Sequence, residues 1–295
     1  MVPLIITMDL EIAKDYEINQ QGKILKRINE DFNKIKIPFT TFSTSEAASL
    51  FTEELRIIYS SGNEIGCHGL NHGRDENYKY LNMEIINSNI QTSTDNIGNI
   101  VTEKPSSFRG PGMSTSATTQ SVLTKTGYKA DFSVCPQRLD FINTKGGDIR
   151  WLFSPRLPYH PSKESPYRKG NSKLWVIPLS GLGFPFISGM LYIFGMRFMK
   201  LLFQLLLKES LRNKNPIVYL FHSYESTKYV GKEGLTNDTS GINRNRRSFI
   251  HNLYSSDPEM RYSINFEFIK YMMSFDVIRP YTGKEFTERL NNKTI

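Results

Sequence analysis

Two histidines lie four positions apart in the stretch 64–72, whose sequence reads Glu-Ile-Gly-Cys-His-Gly-Leu-Asn-His. On a helical turn, this spacing puts His68 and His72 on one face, close enough to bind the same metal ion. Residues 64–67 are typical of a short strand that follows a turn at 61–63. A strand followed by a ligand is how an α/β fold presents a site at the carboxyl end of its sheet. The pair alone is weak support, because an exposed helix can carry the same spacing idly.

Two carboxylates follow the first apolar run of the chain. Residues 2–8 are typical of a buried strand, and Asp9 and Glu11 come directly after it. In an extended chain, residues two apart point to the same side, so these carboxylates project together while Leu10 turns into the packing. A strand end that faces solvent would explain them equally well. Beside two histidines, however, they become a candidate base and a candidate metal ligand.

Polar residues close three further strand-like runs: Arg109, Asp131 and His222. Alone, His222 would be explained as a core or edge histidine and Arg109 as a surface arginine. Between these runs the sequence alternates strands with amphipathic helices, which predicts parallel βα units. The carboxyl ends of parallel strands share one edge, so all of these side chains are expected at one site. We predict strands at 2–8, 36–42, 64–67, 106–109, 129–134, 173–179, 217–222 and 276–278, and helices at 22–35, 45–61, 82–97, 118–126 and 266–273.

Composition indicates a folded chain with a basic surface. The 295 residues are 39% hydrophobic and carry 37 Lys and Arg against 29 Asp and Glu, a net charge of +8. This charge favours an anionic partner such as a membrane surface or a phosphate-bearing sugar. Nucleic acid ranks last, because no regular basic and aromatic platform is present. Two cysteines imply no disulfide framework, and residues 1–10 lack the features of a signal peptide, so we expect the cytoplasm.

An apolar segment at 182–211 stands out from the rest. Its helical part is apolar nearly all round, with only Arg197 and Lys200 charged before Lys208. Interior glycine, proline and charged residues make it a poor transmembrane span. One interpretation is an ordinary barrel helix buried in the core. The other is a hairpin that enters the membrane surface, with these basic residues near anionic headgroups at the inner face.

Five motifs, taken in order, resemble the polysaccharide deacetylases, the NodB-homology domains of carbohydrate esterase family four. The acidic pair ends the first strand, and the H-x-x-x-H pair follows the typical lead-in Glu-Ile-Gly. The arginine motif Phe-Arg-Gly-Pro-Gly, the aspartate motif Asp-Phe-Ser and a final Leu-Phe-His complete the series. The matching stretches are 7–11, 64–72, 108–112, 131–133 and 220–222. The resemblance covers roughly residues 2–225.

The resemblance implies an α/β fold, a distorted (β/α)7-type barrel. We expect one domain over 1–295, with the core motifs in 2–225, an apolar helical insertion at 182–211 and a C-terminal extension at 226–295. It also implies metal-dependent removal of an N-acyl group, most simply N-acetyl, from a sugar. The substrate would be an amino-sugar glycan or glycolipid, with a lipid- or nucleotide-linked precursor as one form. Rival interpretations are a C–N hydrolase for small cyclic amides in the same fold and a catalytically silent carbohydrate-binding relative.

The family also assigns roles to individual residues here. A divalent ion, zinc by preference, would be held by Glu11, His68 and His72. Asp9 would act as base and His222 as acid, with Arg109 oriented by Asp131 to pair with Asp9. A backbone N–H near Gly112 or Met113 would help the metal to stabilise the oxyanion. One departure concerns the second position of the first motif, where the family usually has an aspartate and this chain has Leu10.

Overall fold

The computed structural model describes residues 1–137, 149–230 and 257–294. Its centre is strand β1 (Val2–Leu10), in which all nine residues are buried. The apolar run predicted this burial, because a parallel strand covered on both faces needs apolar side chains throughout. The other strands are β2 (Thr40–Ser43), β3 (Glu64–Cys67), β4 (Ser107–Phe108), β5 (Ala130–Asp131), β6 (Trp175–Val176), β7 (Gly181–Leu182), β8 (Phe184–Pro185), β9 (Ile217–His222) and β10 (Ile278–Tyr281).

Helices connect these strands, and side chains cap several of them. Thr44 accepts a hydrogen bond from the Ala47 amide, and Asn82 accepts one from the Ile85 amide, as expected for N-cap residues. The helices are α1 (Ile18–Lys34), α2 (Ser45–Leu50), α3 (Thr52–Ser60), α4 (Met83–Val101), α5 (Ala117–Lys125), α6 (Ser188–Asn213), α7 (Pro258–Met273) and α8 (Gly283–Asn291).

The main sheet is parallel and curled. Strands run in the order β9, β1, β2, β3, β4, β5 and β6, and β10 pairs with the first half of β1 beside β2. Between β6 and β9, the Val218 amide donates to the Ser180 hydroxyl at 2.9 Å. The predicted α/β fold, a distorted (β/α)7-type barrel with an apolar helical insertion, is thereby confirmed.

Several predicted boundaries were wrong in detail. Residues 68–72 form an irregular loop instead of a helical turn, and β5 and β6 are far shorter than the predicted runs. The predicted loop 135–172 contains a short 3-10 helix at Ile149–Phe153, and part of it lies outside the described residues. The polar insert predicted after residue 225 also lies largely outside them. Sequence periodicity marks which runs are buried, whereas pairing of curled strands sets where each ladder ends.

The C-terminal elements pack onto the barrel. Strand β10 pairs with β1, the Gly283 amide donates to the Thr40 hydroxyl at 2.8 Å, and the Lys284 amide donates to the Glu64 carboxylate at 2.8 Å. The region that the motifs treat as an extension therefore supports the strands that carry the site. These contacts favour the single domain that we propose for 1–295.

Candidate active site

The register of the sheet brings the predicted residues to one end. Asp9 stands opposite His222 on β9 and opposite Phe42 on β2. His68 follows β3, whose last residue Cys67 pairs with Phe108 on β4. Because the ladder is parallel throughout, residues that end or follow these strands meet at one edge. The candidate site occupies this edge.

Three side chains form a candidate metal centre. The Glu11 Oε2 atom lies 3.4 Å from His68 Nε2 and 3.6 Å from His72 Nε2. One potential ligand atom from each residue lies within 4.8 Å of the other two. The Glu11 Oε2 and His68 Nε2 atoms are buried and have no hydrogen-bond partner in the described part of the chain. Two imidazoles and a carboxylate are donors that zinc prefers, and buried polar atoms without a partner are costly, so these residues fit a divalent ion.

The electrostatics of the three residues suit a cation. Burial opposes ionisation of Glu11, but the nearby His72, and then His68 and His222, outweigh it and lower the pKa of that carboxyl. Burial likewise disfavours the charged form of His68, yet Asp9 and Glu11 raise the pKa of its imidazole. The carboxylates therefore place negative charge beside the histidine nitrogens, and a metal ion would compete with protons for these nitrogens.

His68 is oriented by the backbone of the arginine motif. Its Nδ1 atom lies 2.6 Å from the Arg109 carbonyl oxygen, which can only accept a hydrogen bond. Nδ1 must therefore carry the proton, and the lone pair of the neutral ring is left on Nε2, the atom that faces Glu11. This arrangement is the usual outer-shell support of a metal-binding histidine.

His72 is held by a loop that Glu76 organises. The buried Glu76 carboxylate accepts hydrogen bonds from the amides of Leu70, Asn71 and His72 at 2.5, 2.8 and 2.8 Å. His72 itself has a left-handed backbone, with φ 60°. The prediction that a helical turn presents both histidines is wrong. They are presented by an irregular loop whose amides donate to the Glu76 carboxylate. Gly69, with φ 82°, is required there, since an added Cβ would lie 2.5 Å from Glu76 Oε1.

We expect Glu76→Gln to weaken metal binding without touching a ligand. The substituted amide places an NH2 group where the carboxylate accepted backbone N–H donors, so at least one loop hydrogen bond is lost. Loss of such outer-shell support typically costs about 10–100-fold in metal affinity. Zinc titration with a competing chelating dye measures the change, and Glu84→Gln on the exposed start of α4 is the matched control. Unchanged affinity in both variants would show that Glu76 does not position His72.

Arg109 and Asp9 form a buried ion pair. Arg109 is fully buried, and its Nη1 donates to Asp9 Oδ1 at 2.7 Å and to the Thr7 hydroxyl at 3.0 Å. Its guanidinium carbon lies 4.3 Å from the centre of the Phe42 ring, a cation–π contact. The second carboxylate oxygen of Asp9 lies 3.7 Å from His68 Nε2, on the side of the metal centre. Asp9 is thus fixed at one oxygen while the other faces the site.

No direct contact joins Asp131 to Arg109 in the described part of the chain, so the orienting role predicted for Asp131 can only be indirect. Its carboxylate accepts hydrogen bonds from Ser133, Thr115 and Gln120. Ser133 in turn accepts from the Gly110 amide at 2.8 Å, so Asp131 positions the backbone beside Arg109. Burial raises the pKa of Asp131, although these hydrogen bonds partly oppose the shift. Strand β5 ends at Asp131, and the Asp131 side chain points toward Thr115 and Gln120.

The loop after Arg109 distinguishes the two predicted oxyanion donors, Gly112 and Met113. Pro111–Met113 forms one 3-10 turn, in which the Met113 amide donates to the Gly110 carbonyl at 2.8 Å. The Met113 N–H is therefore engaged, and Gly112 is the candidate that remains. Gly110 allows the close packing of this turn, because an added Cβ would lie 1.9 Å from the Ser114 carbonyl oxygen.

His222 is paired with a buried carboxylate. Its Nδ1 lies 3.0 Å from Glu225 Oε1, and the Ser188 hydroxyl donates to Glu225 Oε2 at 2.6 Å. Burial would lower the pKa of His222, but Glu225, together with Glu11 and Asp9, raises it to about 9. A raised pKa favours the imidazolium form of His222 at neutral pH, which suits a proton donor.

Sequence reasoning missed Glu76, Glu225 and Gln21. Gln21 donates to the Glu11 carbonyl at 2.9 Å and to the Ser223 hydroxyl at 2.8 Å, which ties the metal ligand to the strand end of His222. A spacing signal exists for Glu225 and Glu76, which stand three and four positions after the histidines that they support. Gln21 lies on the buried face of α1 and carries no local signal.

Comparisons with known proteins agree with this architecture. Residues 19–130 match the family model of the polysaccharide deacetylases. A peptidoglycan deacetylase of Helicobacter pylori (strain ATCC 700392 / 26695) is 27% identical over 110 residues, which are 37% of this chain and 36% of the relative. The match thus spans about a third of that relative's length.

Solved structures share the fold over nearly the whole chain. A probable polysaccharide deacetylase from Pseudomonas aeruginosa PAO1 superposes with a TM-score of 0.63 at 14% identity and covers 99% of this chain and 91% of its own. An allantoinase superposes with a TM-score of 0.61 at 14% identity, over 99% of this chain and 90% of its own. At such identities, the likeness concerns the fold alone. The sequence match nevertheless confirms the resemblance that the ordered motifs predicted: residues 19–130 are similar to the polysaccharide deacetylase family, and the chain shares the fold of its solved members.

Proposed function

We propose that this protein is a metal-dependent hydrolase that removes an N-acyl group, most simply N-acetyl, from an amino sugar. The observation that carries the proposal is the convergence of three functions at one edge of the sheet. A candidate base, a three-residue metal centre and a candidate acid meet there: Asp9, then Glu11 with His68 and His72, then His222. A module that only binds sugar needs neither the base nor the acid.

Each residue has a role that its contacts support. A divalent ion at Glu11, His68 and His72, zinc by preference, would polarise the acyl oxygen and lower the pKa of a water molecule. The free oxygen of Asp9 would accept the proton of the attacking water, while Arg109 holds the other oxygen in place. The Gly112 amide is the proposed donor to the oxyanion.

His222 would complete the reaction by giving its proton to the departing amine nitrogen. The C–N bond breaks, the acyl group leaves as a carboxylate, and the sugar keeps a free amine. Glu225 supports this role in two ways: it fixes the ring through Nδ1, and its charge favours the imidazolium form. Nε2, the opposite nitrogen, is the one left to donate.

The carrier of the sugar is part of the proposal. A free N-acetyl sugar, a nucleotide-linked sugar and a lipid-linked glycan precursor all present the same amide bond. The net charge of +8 favours a carrier that bears phosphate. We place the reaction at the cytoplasmic side, with peripheral contact at the inner membrane face through the apolar segment 182–211.

The direct test is release of acetate from N-acetylated amino sugars by zinc-loaded protein. We expect turnover that is lost on chelation and returns when zinc is restored. Metal content of the purified protein is measured in parallel, and His72→Ala is the control, since it removes a ligand that is partly exposed at the loop. Acetate release that persists without metal, or that His72→Ala leaves unchanged, would contradict the metal assignment.

The same assay separates the rival functions. The likeness to an allantoinase concerns the fold, and Leu10 in the first motif is the feature that would favour a metal-poor, cyclic-amide hydrolase. The position of Glu11 beside both histidines argues instead for a complete metal centre. Ring opening of allantoin without any deacylation of amino sugars would assign the rival enzyme. Glycan binding with no hydrolysis at all would assign a silent relative.

The pH profile gives a further prediction, on Glu225→Gln. His222 must be protonated to act, so the rate falls as the pH rises through its pKa, which is about 9 without metal. A bound dication would lower that value, because positive charge disfavours the imidazolium. Removing the Glu225 charge lowers it again, so we expect the alkaline limb of kcat/KM to move to lower pH. Rates measured across the alkaline range test this, with Glu209→Gln on α6 as the control; an unmoved limb would exclude His222 as the acid.

A further inference from the structure

One face of α6 remains uncovered by the described chain. The apolar ridge, as we call it, comprises Phe184, Phe194, Phe198, Leu201 and Leu205. Phe194, Leu201 and Leu205 are 47%, 56% and 49% exposed, and Phe184 is 40% exposed. The four helical residues recur at spacings of four, three and four, so they line one side of the helix. Exposed apolar side chains are common singly, but a contiguous row of them marks an interaction surface.

The ridge is continuous because its aromatic residues touch. The ring centres of Phe194 and Phe198 lie 4.8 Å apart, and each lies 5.5 Å from that of Phe184 in the β7–β8 hairpin. A break in helical geometry at Gly195, with φ 79°, separates the first turns of α6 from the rest. The contact between Phe194 and Phe198 bridges this break. The hairpin and both parts of the helix therefore present one surface.

The opposite face of α6 is anchored in the core. Met199, Leu202, Phe203 and Leu206 are buried, and the Phe203 ring packs against Phe186 and Phe275. The interpretation of the apolar segment as a core helix therefore holds for this buried face, whereas the other face is exposed. The connection of α6 to β9 within the same parallel sheet excludes a membrane crossing, so the ridge can only meet a surface from the side.

Basic side chains accompany the ridge. Arg197, Lys208 and Arg212 are exposed, and no acidic partner of theirs is found among the described residues. Lys200 is instead held over the Tyr271 ring of α7, with its Nζ atom 4.3 Å from the ring centre. An apolar row with unpaired cations beside it is complementary to an anionic lipid surface. A partner protein with a purely apolar groove would leave these cations unmatched.

The ridge begins close to the candidate active site. Ile187, just before α6, forms a bridge with Leu220 of β9, and Ser188 donates to the Glu225 carboxylate that holds His222. The start of α6 is therefore joined to the proposed acid by two consecutive hydrogen bonds. A surface that receives the ridge would lie beside the mouth of the site.

We propose that the apolar ridge docks this protein on an anionic membrane, where it takes an amino sugar carried by a membrane-embedded lipid. The inference rests on the proposed function and deepens it: of the two phosphate-bearing carriers, lipid and nucleotide, only the lipid explains an apolar surface next to the site. A nucleotide-linked sugar is met in solution and needs no such face.

Vesicle flotation tests the docking without any need for activity. We expect the full chain to float with phosphatidylglycerol-containing vesicles. Serine at Phe194, Leu201 and Leu205 should weaken binding on the order of 100-fold. The matched control places serine at Leu50, Ile57 and Met83, which are 50%, 43% and 50% exposed on α2, α3 and α4. Binding that is absent in the native chain, or equal in both triple variants, overturns the proposal.

A charge series tests the basic component. Each Lys or Arg near an anionic surface strengthens binding roughly five-fold. Glutamine at Arg197, Lys208 and Arg212 should therefore reduce binding on the order of 100-fold, whereas glutamine at the exposed Lys23, Lys125 and Lys129 should cost less. If both triple variants lose vesicle binding equally, the interaction depends only on net charge, and the assignment of the ridge is overturned.

Two further measurements distinguish failure of the docking from failure of the proposed function. Deacylation of an N-acetyl sugar on a polyprenyl phosphate in vesicles should fall at least about ten-fold in the serine variant of the ridge, with activity on the soluble sugar unchanged. If the serine variant loses the same activity on both substrates, docking is contradicted. If the protein hydrolyses neither substrate, the proposed function fails, and the flotation result alone decides whether the ridge docks. A concentration-dependent dimer that the ridge variant abolishes, without vesicle binding, would assign the ridge to a second copy of the chain.

Discussion

Asp9→Asn is expected to abolish most of the hydrolysis while the metal centre stays intact. The substitution keeps the shape of the side chain but removes the negative charge, and an amide is too weak a base to accept a proton from water. General base catalysis typically contributes about 10²–10⁴-fold, so kcat should fall by that amount. Metal binding should be preserved, because Asp9 is not one of the three clustered ligands, and its Oδ2 lies 3.7 Å from His68 Nε2.

The control for this variant is an aspartate in a comparable segment but outside the site. Asp15 is exposed in the turn after β1, and Asp15→Asn should leave both kcat and zinc content unchanged. Circular dichroism and a thermal melt on both variants guard against unfolding, since Asp9→Asn also weakens a buried ion pair with Arg109. A folded, zinc-loaded Asp9→Asn protein with native kcat would remove Asp9 from the mechanism.

Much of the site could be predicted because its residues end strands. The apolar runs before Asp9 and His222 predict buried strands. Parallel pairing then places the ends of these strands side by side, and the register of β1 with β9 pairs Asp9 with His222. The same logic brought His68 and Arg109 to this edge. These predictions needed only the period of the hydrophobic pattern and the rule that parallel strands share a carboxyl end.

The remaining features depend on contacts that no local pattern contains. The loop geometry of His72 follows from Glu76, whose carboxylate gathers amides that a helix would have left pointing elsewhere. Asp131 ends a strand of only two residues, so its side chain turns to Ser133 and Gln120 instead of to Arg109. The Met113 amide donates to the Gly110 carbonyl within the 3-10 turn, so it is not available to an oxyanion. Each of these features is an orientation within a loop or a short strand, where tertiary packing decides.

The exposure of α6 illustrates the same limit. Its composition predicts an apolar helix, and by length and hydropathy it could cross a membrane, as no other helix in the described ranges could. Sequence alone left a core helix and a surface hairpin as alternatives. Packing of Phe203 and its neighbours against the core gives the helix one buried face and leaves the other exposed, which is a three-dimensional property.

The first motif yields the second large prediction, because it tests how this chain replaces the usual aspartate. Leu10 is fully buried in the hydrophobic core, whereas Glu11 on the other side of the strand contacts both histidines. We expect Glu11→Gln to weaken zinc binding by more than about 100-fold, since loss of outer-shell support alone costs about 10–100-fold. Competition with a chelating dye measures the affinity, with Glu46→Gln on the exposed start of α2 as control.

A second variant distinguishes this replacement from a damaged family motif. Adding Leu10→Asp to Glu11→Gln restores the family's usual acidic pair in sequence, but the new carboxylate would point into the core among apolar side chains. We expect no recovery of zinc affinity and a loss of stability of roughly 3 kcal/mol or more, because a buried charge without a partner is strongly unfavourable. Recovery of zinc binding in the double variant, or native affinity in Glu11→Gln alone, would show that Glu11 is not the third ligand. We expect neither outcome, because strand alternation directs Glu11 toward the histidines and residue 10 away from them.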